Sequence, residues 1–349
     1  MLTARTWSQE TPSQETRSQE TPSQETRSQE TRSQALSDAG AKRLGWGHRL
    51  TAWCTAMVFL VLTAPTITAQ TKKKQEEDPK LKPRAVTMKT KDGVNLRAAY
   101  FPSDKGKEAI TILLVHEWQG QVGPYIRLAN AFKQAGFAVL MPDYRGHGGS
   151  REYVDSRGAP QQFNTARMSK KDIENIVKFD LEEAKQFLKK ENNEGNLNMN
   201  ALVVVGVREG AVMAAHWTIR DWRFPSLGSV KQGQDVKALV LISPEKVALG
   251  VPLDPTLSDP NLVRLPIMLV AGDQSPEADE TMRVFKRLEI IKKKMTRGEA
   301  TGLELNMAKT SLSGHALVNE QASVVPGIVK FITENVKVSD NKNPWVERP

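Results

Sequence analysis

The sequence predicts an α/β fold: a doubly wound, mostly parallel sheet entered through an N-terminal antiparallel hairpin. Three observations predict it. Residues 85–90 and 94–102 alternate apolar and polar side chains around Lys91-Asp92-Gly93, the pattern of a hairpin. Short, mostly apolar runs, broken only by Thr111 and Lys237, follow at 109–115, 137–141, 201–205, 236–242 and 266–271, which suit strands covered on both faces. Segments of helical periodicity separate these runs, and repeated strand–helix units mean parallel strands with helices on both sides.

Each element has a local reason. After 109–115, Ile126, Ala129, Phe132 and Lys133 mark a helix that stops at Gly136. A glycine-rich loop spans 142–150, after the strand at 137–141. Ser169 and Asp172 form a capping-box signature ahead of an apolar stripe at Ile173, Ile176, Val177, Leu181, Ala184 and Leu188. Residues 209–217 begin the helix after 201–205. Ser275-Pro276 reads as a cap with proline at the first helical position, with Met282, Phe285, Leu288 and Ile291 on the buried side. A last strand at 303–308 and a last helix at 322–336 close a domain over 85–337, and 338–349 is a C-terminal tail. The segment 245–264 is too short for a large cap domain, whereas 153–166 has the length of a small flap.

The region upstream has another character. Over 8–34 a Ser-Gln-centred unit recurs every five positions, from Ser8 to Ser33, with no apolar position in it. Such a segment buries nothing to offset chain entropy, so 1–41 is expected to be a disordered extension. The regularity suggests tandem duplication and a translation start further downstream. Lys42, Arg43 and Arg49 then precede an uncharged run at 50–64, followed by Pro65 and Ile67-Thr68-Ala69, with the small Ala69 at the expected cut. This is the pattern of a signal peptide over 42–69, implying export to a periplasmic or extracellular place. An uncleaved membrane anchor at 50–64 is the alternative. Residues 70–84 are a charged linker.

The chain of 349 residues has one cysteine, Cys54, inside that run. An internal disulfide and a multi-cysteine metal site are excluded, and cleavage after Ala69 removes the thiol altogether. The net charge is +9, but the basic residues are spread without aromatic interleaving, so no nucleic-acid partner is expected. A membrane partner is expected only if the signal segment stays.

In doubly wound sheets, ligands bind at the carboxyl ends of the strands. Three motifs stand there: His116–Gly120 (HEWQG), 142–148 (PDYRGHG) and Gly206-Val207-Arg208-Glu209-Gly210. Together with the order of elements over 85–336, they resemble the α/β-hydrolase superfamily, and HEWQG resembles its dienelactone-hydrolase branch. The resemblance implies a nucleophile elbow, G-x-S-x-G or G-x-C-x-G, on a strand-to-helix turn. Here Arg208 holds the central position. A guanidinium has no usable lone pair and keeps its proton, so it cannot attack a carbonyl.

The resemblance also places the other parts. An acid is expected in Gly-x-x-Asp after the fifth strand, where this chain has Gly272-Asp273-Gln274-Ser275. Asp273, two residues early, and Glu245, after the fourth strand, are the remaining acid candidates. Ser313-Gly314-His315-Ala316 resembles the family's histidine loop, which makes His315 the base position. The amides of Trp118 and Glu209 are implied as oxyanion-hole donors, with His116 and Glu117 opening the same loop. Glu117 is implied to lie near Arg208, and a cleft arginine requires a carboxylate, so pairing with Glu117, Asp143 or Asp273 is expected. Two readings of Arg208 stay open: a salt bridge that fills a dead site, or a cation offered to a small acidic ligand, a carboxylate or a phosphate.

Other histidines carry less. His116-Glu117 does not continue as H-E-x-x-H, His147 lies in a turn, and His216 sits on a helix. The 146–149 glycines lack the helix of a dinucleotide fingerprint. No metal and no cofactor is expected. The function expected is that of an exported α/β-hydrolase-fold protein without serine or cysteine hydrolase activity, acting as a binding or envelope protein. One alternative is a noncanonical hydrolase of small esters or lactones, in which His315 with Asp273 or Glu245 activates water and Arg208 stabilises charge. The other is a purely structural envelope protein.

Overall fold

The computed structural model describes residues 78–155, 157–228 and 230–348. The repeats, the 1–41 extension, the 42–69 signal segment with Cys54 and linker residues 70–77 lie outside them. The described residues fall within one unit, Lys72–Pro349.

Strands β1 (Arg84–Lys89) and β2 (Asn95–Phe101) form the expected hairpin. β3 (Ile110–Val115) leads through α1 (Ile126–Gln134) to β4 (Ala138–Asp143). A two-stranded flap, β5 (Glu152–Val154) and β6 (Pro160–Gln162), fills the segment of that length. Helix α2 (Lys170–Asn175) starts at the Ser169–Asp172 capping box and runs through a π-helical turn, Ile176–Asp180, into α3 (Leu181–Asn193). β7 (Asn198–Val207) precedes α4 (Glu209–Trp222), and β8 (Val236–Ile242) follows. The short pair β9 (Val247–Ala248) and β10 (Val251–Pro252), then α5 (Pro260–Arg264), occupy the place of a cap. β11 (Ile267–Gly272), α6 (Ala278–Thr296), β12 (Leu303–Ala308), α7 (Gly314–Glu320) and α8 (Val324–Asn335) complete the chain.

The eight long strands make one sheet in the order β1-β2-β4-β3-β7-β8-β11-β12. β1–β2 and β2–β4 are antiparallel, and every pair from β4 to β12 is parallel. The runs are mostly apolar because both faces are covered. On β7, Leu202 and Val204 pack with Ile173, Leu188, Val212 and Leu288 from α2, α3, α4 and α6. Val203 and Val205 point to the opposite layer, with Phe132, Leu317 and Phe331 from α1, α7 and α8. Side chains alternate along a strand, so one run feeds two cores.

Three local expectations change. The stripe from Ile173 to Leu188 is not one regular helix; the π turn adds a residue, so that Asp180 and Leu181 are both buried. Helix α6 begins at Ala278 with Glu277 at its cap, not at Ser275-Pro276. The chain first makes a turn, with the Ser275 N–H donating to Gly272 O at 3.2 Å, and the Ser275 hydroxyl caps nothing. The C-terminal tail is strapped to the domain: Asn192, Asn198 and Asn200 amides donate to the Val346, Asn343 and Pro344 carbonyls. Among the described residues no helix is long and apolar enough to cross a membrane.

Candidate functional site: an arginine at the strand ends

The third motif forms a strand–turn–helix. β7 ends at Val207, α4 begins at Glu209, and Arg208 joins them at φ +49°, ψ −118°. A non-glycine residue rarely holds this conformation, which costs on the order of 1–3 kcal/mol and persists only where its surroundings impose it. Its N–H donates to Ile242 O at 2.9 Å. The flanking glycines explain the sharpness. A Cβ on Gly206 would stand 2.5 Å from Ala211 Cα, and one on Gly210 would overlap the Val115 and His116 carbonyls. α4 can sit this close to β7 and β3 only with glycine at both places.

Arg208 carries its charge at the N-terminal end of α4, the unfavourable end of the helix dipole. Carboxylates from two other strand ends offset this. Nη2 donates to Glu245 Oε1 at 2.5 Å, after β8, and Nη1 lies 2.7 Å from Glu277 Oε1, at the start of α6. The Glu277 contact is off the N–H direction, so it acts as an ion pair rather than a hydrogen bond. Nη1 instead donates to Ser313 Oγ at 3.1 Å. The expected pairing exists, but through different carboxylates. Asp143 holds the backbone N–H groups of Val122 and Gly149 at 2.9 Å each. Asp273 Oδ1 accepts the Thr310 N–H at 3.1 Å. Glu277 was missed because Ser275-Pro276 read as the cap and left Glu277 as an ordinary first-turn acid. The usable signal was Arg208 itself, a cleft charge that requires a carboxylate and whose five N–H donors can engage more than one.

His315 lies beside this cluster at the start of α7. Its Nδ1 is 2.6 Å from Glu117 Oε1, and its side chain is 48% exposed. Neither Asp273 nor Glu245 therefore orients it; both are committed elsewhere, and Glu117 takes the role. Glu117 is also close to Arg208, as implied, since a Cβ on Gly314 would meet both side chains. Two nearby serine hydroxyls are engaged: Ser313 Oγ by Arg208, and Ser243 Oγ by the Gly314 N–H at 3.1 Å.

The amide that the resemblance implies as an oxyanion donor is engaged within the chain. The Trp118 N–H donates to Glu209 Oε2 at 3.1 Å. The sequence pointed to Glu209 for its amide; its carboxylate does something the motif did not suggest. His116 is not a pocket residue. It is fully buried, with Nδ1 2.7 Å from Glu117 O and its ring stacked 4.1 Å from Tyr144. The Tyr144 hydroxyl donates to Glu117 O at 2.8 Å and so fixes the loop.

Burial shapes the titration of this wall. It pushes both His116 and His147 down to about 4, so these rings are neutral at pH 7. It raises Asp143 against the two amides that favour its charged form. It also raises Glu245, with Arg208 pulling the other way. Two carboxylates, of Glu245 and Glu277, hold the guanidinium, while Glu117 is committed to His315 and Glu209 to the Trp118 amide. Among the described residues no group of three or more histidine, cysteine or acidic side chains is arranged to hold a metal ion.

Known proteins share this architecture. Residues 106–246 match the family model described as serine aminopeptidase, S33. An esterase of Pyrococcus furiosus superposes with a TM-score of 0.51 at 15% identity, over 74% of this chain and 92% of its own. An α/β hydrolase from Penicillium sp. sh18 gives 0.50 at 13% identity, over 73% and 99%. A thermostable carboxyl esterase from Bacillus coagulans, solved with glycerol, gives 0.50 at 13%, over 73% and 99%. No curated protein matches the chain. Sheet order and strand-to-helix turn agree with these structures, and the chain has the α/β-hydrolase fold.

Proposed function

We propose that this chain keeps the α/β-hydrolase fold without serine or cysteine hydrolase chemistry, and works as an exported binding or envelope protein. One observation carries the reading: Arg208 stands at the elbow, and its guanidinium is held by Glu245, Glu277 and Ser313. The Trp118 amide, already bonded to Glu209, supports it. An acidic ligand at this place would compete with Glu245 and Glu277 for Arg208 and would meet Glu117 and Glu209 beside it. We therefore assign Arg208 to closing the site rather than to receiving the small anion its sequence position suggested. Export rests on the 42–69 pattern, and retention in a membrane on 50–64 remaining uncleaved.

A second reading has one observation in its favour. His315 is open to water, and a carboxylate holds its Nδ1 at 2.6 Å, the arrangement of an oriented general base. Its substrates would be small esters or lactones. One experiment separates the two. The purified protein is treated with a fluorophosphonate probe and with p-nitrophenyl acetate. We expect no labelling and no turnover above buffer. Turnover that disappears in His315→Ala would overturn the first reading in favour of the second.

A further inference from the structure

A cavity of about 430 Å³ opens away from the strand-end cluster. Its walls are the end of α2 with the π-helical turn, the last turns of α4, and the connection between β10 and α5. Ile173, Val177, Ile219 and Val251 give it an apolar lining, and Phe224 stands at it 37% exposed. Its volume falls in the roughly 300–1,000 Å³ range of small-molecule sites.

Its charge is weighted towards cations. Lys178, Arg220 and Arg223 line it against Glu174 and Asp259. The two arginines are loosely paired: Arg220 Nε is 3.9 Å from Glu182 Oε2, and Arg223 Nη2 is 3.9 Å from Asp259 Oδ2. Arg220 Nε is a buried donor without a hydrogen-bond partner, and the guanidinium lies 5.4 Å from the Phe224 ring centroid. His216 adds no charge at neutral pH, because burial lowers its pKa, and its Nε2 is 2.9 Å from Pro252 O.

The backbone is unusual at the same spot. Val177 and Lys178 belong to the π turn, a form that is rare and concentrated at functional sites. The turn is anchored from behind by Asp180, fully buried, whose Oδ1 is 2.6 Å from Arg145 Nη2. A rare backbone conformation is thus held beside an apolar cavity lined by two loosely paired arginines.

We propose that this cavity binds an amphipathic monoanion, an unbranched acyl carboxylate of medium chain length. The chain lies on Ile173, Ile219 and Val251, and the carboxylate pairs with the loosely held guanidinium of Arg220, with Arg223 as the outer charge. The proposal is independent of the reading of Arg208.

Isothermal titration calorimetry of the full chain with decanoate, below its micelle-forming concentration, tests it. The expected result is saturable binding of one decanoate per chain. Arg220→Gln, which removes a charge-assisted bond, weakens it about ten-fold or more, and Ile219→Trp, which fills the cavity, does likewise. Decyltrimethylammonium, of equal chain length and opposite charge, binds at least about ten-fold more weakly. Arg223→Gln alters a side chain that is 71% exposed, keeps the fold, and weakens decanoate about three-fold. Absence of decanoate binding, equal binding of the two amphiphiles, or binding unchanged in Arg223→Gln and in folded Ile219→Trp overturns the proposal.

Discussion

The Glu209 carboxylate accepts the Trp118 backbone N–H at 3.1 Å. Glu209 is the residue after the elbow, and the Trp118 amide is the donor that the superfamily resemblance assigns to a developing oxyanion. A fixed anion of the chain itself therefore occupies the donor, while Arg208 occupies the elbow one residue earlier. In the function proposed above, these two adjacent residues close two different parts of one site.

This pairing predicts a specific order of repair. Arg208→Ser alone supplies a hydroxyl but leaves Glu209 on the Trp118 amide, so fluorophosphonate labelling should stay at background. Adding Glu209→Ala frees the amide. Loss of one oxyanion donor costs roughly 10²–10³ in rate, so the double variant should label at least about ten-fold faster than Arg208→Ser. Equal labelling of the two, measured on folded protein, would show that Glu209 does not block the site.

Arg208 and Glu277 should be coupled in stability. Glu277 is 3% exposed, so Arg208→Ala leaves a buried carboxylate without its cation. Breaking a buried pair this way costs about 3–5 kcal/mol; Arg208 is one-third exposed, so about 2–3 kcal/mol is expected here. Glu277→Gln placed on top of Arg208→Ala should recover at least about 1 kcal/mol of it. Urea unfolding of the four proteins in the cycle measures this, and strict additivity would contradict the coupling.

Gly210 tests the closeness of α4 to the sheet. A methyl group there overlaps two backbone carbonyls, which cannot rotate away as a side chain can. Gly210→Ala should cost at least about 3 kcal/mol, the upper end of ordinary overpacking. Gly158, whose added Cβ would meet nothing within 4 Å, is the control; its φ of +80° leaves only backbone strain, about 1 kcal/mol. Similar melting temperatures for the two variants would reject the packing argument.

The buried histidines predict a loss of stability in mild acid. His116 and His147 are held near 4 when folded, against about 6.5 unfolded. As pH falls from about 6.5 to about 4, the unfolded chain binds protons that the folded rings refuse. Each ring then removes on the order of 3 kcal/mol. Asp180, pushed up to about 6 by burial, acts with the opposite sign over part of this window, because its folded form takes up the proton first. The measurement is therefore a difference: wild type should lose more stability than His147→Asn between pH 7 and pH 4.5. Parallel pH profiles would refute the assignment.

Much of the fold was legible because its signals are local. Apolar runs, the hairpin turn and the glycine frame around Arg208 depend on backbone geometry within a few residues. The exceptions share a cause. The π turn at Ile176–Asp180 serves Arg145, far away in sequence, and the start of α6 is displaced by the turn that brings Glu277 to Arg208. Glu117 was placed near Arg208 correctly, yet it bonds His315, which resides almost two hundred positions later.

By itself the sequence determined the strand–helix order, the two-sided cores and the absence of a serine or cysteine at the elbow. Only the tertiary structure decided which of the carboxylates holds Arg208, which one orients His315, and that Glu209 covers the Trp118 amide. The reason is physical. Periodicity and steric limits act along the chain, whereas the partner of a charge is chosen by which strand ends converge and by the cost of leaving that charge unpaired away from water.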